Sequence, residues 1–384
     1  MNIFIIIINQ LLNRIHQIKN IKFIIQYYFF KNIFHLCIMI FLFNMIIVTI
    51  IFLHNIEEFP ILYQVNENFL NKSNHTTLID QFNHKNSKNY YDYFKTFNRS
   101  SIETILAPLN HCDMKMNNNN NNDNNDNLTH IIIFIKSRIN KFELRQTLRN
   151  TWANKKCYIH YGIYAYIYFT LGRENLTHWF NSTIQSKLLL EHKQYNDIIQ
   201  FNFIENYYNL TRKLIGTIEY ATLHCLNTKF ILIIDEDFIV NPIHLIKLLL
   251  NINHIDYSTY ISGYVIKNGI PFREINSKWY ISKFIYPFDY YPNYPLGGTI
   301  IISRSLINQL NQLLYSIELF PFDDVLIGIV LNKLNISIIH IENILFSKNI
   351  IDFRQKFITA HFKGISYLLI NLWKSLRLDK LCYN

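Results

Sequence analysis

Hydrophobic positions fall into three textures along the chain. From Ile33 to Leu53 the sequence reads IFHLCIMIFLFNMIIVTIIFL, without a charge. A helix of that length crosses the hydrocarbon core of a bilayer. From Asn55 to about Asn127 the pattern is polar and aperiodic, ending in the tract Asn117–Asn127, nearly all Asn with Asp123 and Asp126. Such a segment buries too little apolar surface to offset the cost of ordering, so residues 54–127 are predicted to form a disordered stem. After Leu128 short apolar runs alternate with stretches of helical period.

That third texture predicts strands at His130–Lys136, Tyr164–Leu171, Asp197–Phe201 and Phe230–Ile234. Between and after them it predicts helices over Phe142–Trp152, about Leu176–Leu190, Leu210–His224 and Val325–Leu334. Leu214, Ile215, Ile218 and Leu223 give the third helix an apolar face. Strands alternating with helices predict an α/β domain with a mainly parallel central sheet, covered on both faces. Ligands of such sheets bind beyond the carboxyl ends of the strands.

Charge orients the chain. The formal net charge is +10, yet residues 1–56 hold Arg14, Lys19, Lys22 and Lys31 and no acid, while Glu57 and Glu58 follow the apolar run. Positive residues stay cytosolic, so the expected order is a cytosolic 1–32, a signal-anchor helix 33–53, the stem, and a lumenal domain 128–384. The run is too long and starts too late for a cleaved signal peptide. The remaining charge is spread without a basic block, which argues against a nucleic-acid partner. Of five cysteines, Cys37 lies in the membrane segment; Cys112, Cys157, Cys225 and Cys382 are free to pair in an oxidising lumen, in any of three ways. Sequons at Asn71, Asn74, Asn98, Asn127, Asn175, Asn181, Asn209 and Asn335 are glycan acceptors there. The chain is rich in Asn throughout, so they weigh little.

Candidate chemistry gathers in two acidic places. Asp235-Glu236-Asp237 follows the buried-looking strand Phe230–Ile234, and carboxylates at i and i+2 past a strand can share one hard divalent cation with a diphosphate. A solvated acidic turn is the plain alternative. Asp323-Asp324 precedes the helix at Val325, as a helix cap, as a general base for a hydroxyl, or with one acid in each part. Arg145 and Arg149, four apart, suit a phosphate or carboxylate clamp, or simply a solvated face. Lys278-Trp279-Tyr280 and Tyr290–Pro295 form an aromatic stretch ahead of Gly297-Gly298, suited to stacking on sugar rings or to core packing. His361 is either a ligand or a structural histidine.

In order and spacing these segments resemble the β-1,3-galactosyltransferase family, the lumenal β-1,3-hexosyltransferases. The resemblance runs from about His130 to Trp373 through RQTLRNTW (145–152), NLTRK (209–213), FILIIDEDFIVN (230–241), KWYIS (278–282) and FDDVLIG (322–328). It implies a GT-A-type nucleotide-sugar-binding domain and an inverting single displacement, moving a sugar from a UDP-sugar to a glycan acceptor on a glycoprotein or glycolipid. It further implies Mn2+ at Asp237, with Asp235 near ribose and metal, and Asp324 as catalytic base. Arg145, Arg149, Lys213, Asp235 and Glu236 would then face the donor, and Lys278, Trp279 and Tyr294 the sugar or acceptor. The stretch around Pro271, Arg273 and Lys278-Trp279-Tyr280 resembles the galactose-transferring members. UDP-galactose is therefore the expected donor, with UDP-N-acetylglucosamine, or a catalytically inactive family member, as the alternative. Golgi residence as a single-pass type II membrane protein follows from the family and the topology. Pro295 and Val330 occupy two positions where cysteine is usual, Glu205 one where Asp is usual, and Leu214 one where Thr is usual.

Overall fold

The computed structural model describes residues 101–109, 112, 129–252, 257–346 and 356–382. The expected signal-anchor 33–53 lies outside them; among the described residues no helix is long and apolar enough to cross a membrane. The strands are β1 (Thr104–Leu106), β2 (Thr129–Lys136), β3 (Ile163–Arg173), β4 (Ile198–Ile204), β5 (Phe230–Asp235), β6 (Phe238–Val240), β7 (Ile261–Ile266), β8 (Tyr294–Ser303), β9 (Ile339–His340), β10 (Ile344–Leu345) and β11 (Thr359–His361). The helices are α1 (Phe142–Arg149), α2 (Lys156–Ile159), α3 (Thr183–Tyr195), α4 (Leu210–His224), α5 (Pro242–Leu250), α6 (Arg304–Ser316), α7 (Asp323–Lys333) and α8 (Ser366–Ser375).

The main sheet has the order β1-β4-β3-β2-β5-β8-β7-β9, and β6, β10 and β11 make a small second sheet. Its centre, β4-β3-β2-β5, is parallel, but β8 runs antiparallel to β5 and to β7, and β1 antiparallel to β4. The expected mainly parallel sheet is therefore a mixed one. Residues between β5 and β8 give β5 a neighbour that returns in the opposite sense, which local periodicity does not reveal.

Apolar runs in the centre follow from burial on both faces. Ile131, Ile133 and Ile135 of β2 point to one side with Leu232 and Ile234 of β5, under α1, α5 and α8. Ile132 and Phe134 point to the other with Ile231 and Ile233, under α4, α6 and α7. The alternation is the two-residue period of a strand used twice over.

Among the boundaries that differ from the sequence expectation, three change the picture. Helix α1 ends at Arg149, with Asn150 as its C-cap, rather than at Trp152. Helix α3 starts only at Thr183, because Ser182 accepts a hydrogen bond from Gln185 N and caps it there, and Asn196 at φ 50° stops it. The expected stem also reaches into the fold: β1 pairs with the edge strand β4, and Cys112 is bonded to Cys225. The second disulfide joins Cys157 to Cys382, so one of the three pairings is selected.

Candidate active site

Strands β2, β3 and β4 step outward to one side, while β5 returns to the other side of β2. That reversal opens a crevice at the carboxyl ends of β2 and β5. Lys136 and Asp235 are the register partners at those two ends. The crevice is therefore lined by the one charge that closes β2 and by the first acid of Asp235-Glu236-Asp237.

Lys136 is buried and bonds two carboxylates, Asp235 Oδ1 and Asp323 Oδ2, each at 2.8 Å. Burial alone would lower its pKa, but the two acids hold the ammonium well above its ordinary value. Asp323 and Asp324 open α7, and the structure separates their roles. Asp323 is buried against Lys136, whereas Asp324 accepts from Gly297 N at 3.2 Å and from Val325 N at 2.8 Å. Burial, then the adjacent Asp323, pushes the Asp324 carboxyl up to about 6. Lys136 was not singled out in the sequence; its visible signal was a lone charge ending the run IIIFIK.

At the other acid, Asp237 Oδ2 meets His361 Nε2 at 3.1 Å, and the hydrogen bond raises the imidazole pKa. Strand β11 brings His361 there, pairing antiparallel with β6 so that His361 stands opposite Phe238, while Phe362 N donates to Asp237 O at 2.8 Å. Asp237 Oδ1 is buried and makes no hydrogen bond. A buried carboxylate oxygen left so is costly and asks for a partner. Burial raises Asp235 too, against Lys136, with Asp237 and Asp323 adding to the rise. Among the described residues no three of His, Cys, Asp and Glu group as a full metal cage. Asp237 with His361, and Asp235 beside them, nevertheless fits the class of cation held by few protein ligands and completed by a diphosphate.

Four expected donor contacts take other partners. Arg145 is fully buried and bonds Glu191 at 2.6–3.2 Å, with Ser137 Oγ and the carbonyls of Arg138 and Ile139. Arg149 bonds Glu191 and Asp197 and stacks on Phe169 and Tyr195. The pair is thus a carboxylate clamp on this chain's own acids. Lys213 Nζ donates to Ser137 O at 2.6 Å and to Glu205 Oε1 at 2.7 Å, in the core. Glu236 is buried and bonds Ser137 Oγ, Arg138 N and Arg138 Nε. Arg145, Lys213 and Glu236 converge on residues 137–139, just past the end of β2, and Arg149 shares Glu191 with Arg145. Arg145, Lys213 and Glu236 are buried on these partners and shape the loop behind the crevice.

The aromatic expectation places a wall. Trp279 Nε1 donates to Tyr207 Oη at 3.0 Å, and Lys278 Nζ lies 3.8 Å from the centre of the Tyr207 ring. Burial, with the carboxylates of Asp324, Asp323 and Asp235 adding to it, pushes the Tyr207 hydroxyl up to about 12, so this ring shares the field of the acids. Tyr294 opens β8, and burial together with Asp324 lifts its hydroxyl to about 12 as well. Arg273, by contrast, bonds the carbonyls of Ile281, Tyr286 and Phe288 and staples its own loop. Tyr207 was missed in a chain with 26 tyrosines, where no single one stands out.

With this geometry in view, the similarities are specific. Residues 143–342, just over half of the chain, match the family model described as galactosyltransferase. The human UDP-GalNAc:β-1,3-N-acetylgalactosaminyltransferase 1 is 32% identical over 259 residues, covering 66% of this chain and 76% of that protein. Human lactosylceramide 1,3-N-acetyl-β-D-glucosaminyltransferase is 30% identical over 220 residues, covering 56% of this chain and 57% of its own length. A solved galactosyltransferase in complex with donor and acceptor sugar analogues aligns at TM-score 0.33 and 11% identity over 64% of this chain and 95% of its own, too distant to carry an argument. The match to the family model spans both acidic stations and the wall, and the chain belongs to the galactosyltransferase family, the β-1,3-hexosyltransferases, as a glycosyltransferase.

Proposed function

We propose that the chain transfers a hexose from a UDP-sugar to a glycan hydroxyl, making a β-1,3 linkage with inversion at the anomeric carbon, on a GT-A-type scaffold. The observation that carries this reading is the pair of acidic stations at the strand reversal, Asp235/Asp237 and Asp323/Asp324, with Lys136 bonded into both. Asp324, raised to about 6, is ionised at neutral pH yet basic enough to accept a proton. The acceptor hydroxyl oxygen attacks the anomeric carbon, and its proton passes to the Asp324 carboxylate. The bond from that carbon to the diphosphate oxygen breaks, and its electron pair leaves with UDP. One displacement inverts the centre.

Asp237, Asp235 and His361 are the residues that would hold Mn2+, whose chemistry is to neutralise charge building on the departing diphosphate. The unpartnered Asp237 Oδ1 supports that assignment. Tyr207, Trp279 and Lys278 offer the sugar an aromatic wall with a polar edge, and Tyr294 lines the base side. Both acidic stations are complete, which favours an active enzyme over an inactive relative. UDP-galactose is the first donor proposed. N-acetylated hexosamine donors are the second reading, favoured by the activities in the names of the two human relatives. Two disulfides support an oxidising compartment, and with the apolar Ile33–Leu53 they support a type II Golgi protein whose catalytic domain is lumenal.

The test is UDP release by the purified full-length chain in detergent, with UDP-galactose, UDP-N-acetylglucosamine and UDP-N-acetylgalactosamine, with and without Mn2+, on β-linked acceptors. Mn2+-dependent turnover of one donor, lost in Asp237→Ala and in Asp324→Ala, is expected. A folded chain that binds UDP and turns over no donor overturns the reading.

A further inference from the structure

Two neighbouring acids stand at the start of α7, and only one of them is available to a substrate. Asp323 is buried with its Oδ2 on Lys136 Nζ, whereas Asp324 accepts, among the described residues, from the backbone amides of Gly297 and Val325. The same ammonium binds Asp235, its register partner on β5. Lys136 is thus a three-way joint between the ends of β2 and β5 and the first turn of α7.

We propose that Lys136 is a positioning residue for the transfer: it fixes the donor-side carboxylate Asp235 against the helix that carries the base, and by taking Asp323 as counter-ion leaves Asp324 as the acid that receives the acceptor proton. This rests on the function proposed above. Two physical points support it. The side chain is rigidly held, because an ammonium buried between two carboxylates loses several-fold more by moving than a solvated one does. The backbone on either side is also fixed, since Glu236 N donates to Lys136 O and Lys213 grips Ser137 O. The charged and titratable groups acting on Asp324 are Lys136 from β2, Asp323 from its own helix, Tyr207 ahead of α4, and Tyr291 and Tyr294 beside and in β8. Lys136 is the cation among them, and it works against Asp323, which disfavours ionisation of Asp324.

The decisive experiment compares the full-length wild type with Lys136→Met, Asp323→Asn and the double variant, which removes both charges of the buried pair and guards against a single variant that fails to fold. Kinetics give kcat and donor KM across pH, and 13C NMR of Asp-labelled protein, assigned with Asp324→Asn, follows the Asp324 carboxyl without needing turnover. In Lys136→Met, kcat is expected to fall on the order of 100-fold with donor KM within about twofold. The acid limb of the rate and the Asp324 titration should both move up by about one pH unit. In the double variant the titration should return toward wild type, because the uncompensated Asp323 charge is gone. A donor KM raised tenfold or more with the limb unmoved would make Lys136 a donor ligand and overturn the proposal. So would a lowered Tm with kcat and limb unchanged, which is a purely structural role. If the wild type turns over no donor, the proposed function fails by itself; the carboxyl titration still decides, and an Asp324 signal indifferent to Lys136→Met overturns the proposal.

Discussion

Arg145 separates two readings of one motif. As a donor ligand, its loss would weaken UDP-sugar binding and leave the fold intact. As the structure has it, the guanidinium is fully buried, with Glu191 as its counter-ion and the carbonyls of Arg138 and Ile139 as further acceptors. Replacement by Met therefore strands a buried carboxylate and two carbonyls. Removing one partner of a buried pair costs about 3–5 kcal/mol. Arg149 stays on Glu191 at 2.8 Å, which points to the lower end, about 3 kcal/mol. In a domain of this size 1 kcal/mol moves Tm by about 2–4 °C, so the melting point should fall by roughly 6–12 °C. Thermal unfolding followed by circular dichroism, with UDP affinity by calorimetry on the same preparation, reads both quantities. Affinity should stay within about threefold, whereas loss of a direct charged contact worth about 2 kcal/mol would cost about 30-fold. An unchanged Tm together with a tenfold loss of UDP affinity would refute the structural assignment.

In the proposed transfer the acid limb of the pH–rate profile should lie near pH 6, because Asp324 is raised to about 6 and would have to be ionised to take the acceptor proton; below it the rate should fall tenfold per pH unit. Asp324→Asn should cost about 10²–10⁴ in kcat, leaving Tm unchanged or higher since a desolvated charge is removed; a limb still present in that variant would assign it elsewhere. Gly298→Ala should destabilise by more than about 2 kcal/mol, because φ is +113° and a Cβ would sit 2.5 Å from the Phe238 ring. Gly297→Ala, whose Cβ would come no nearer than 3.6 Å to Asp324, should unfold in denaturant nearly as wild type does. Among sequons, Asn175, Asn181 and Asn335 are exposed, while Asn209 donates to Ile204 O at 2.7 Å and its Thr211 is buried on Phe320 O. Expressed in a secretory pathway, Gln substitution should remove a glycosidase-sensitive gel shift at the first three and none at Asn209; a shift lost at Asn209 would contradict the burial argument.

What the sequence made legible followed from periodicity close to home. Leu210–His224 appears as a helix with the expected ends, and the β2 and β5 runs appear where two-sided burial demands them. The acids at the end of β5 and the start of α7 could be named for the same reason, since strand end and helix start are local events. Partners distant along the chain could not be read. The spacing of Arg145 and Arg149 says that they share a helical face, but not that Glu191, 46 residues from Arg145, fills the space in front of it. Lys136 looked like the polar end of a strand until α7, 187 residues on, placed Asp323 against it. The antiparallel sense of β8 and the capture of Thr104–Leu106 at the sheet edge are likewise matters of tertiary pairing.

The Cys157–Cys382 bridge carries a consequence for how the molecule is made. It links α2, before β3, to a residue that follows every strand and α-helix of the described fold, 225 positions later. During synthesis Cys157 cannot meet its partner until the whole sheet, β11 with His361 included, has been made. Closure of this bridge therefore marks a chain whose last strand has already been delivered.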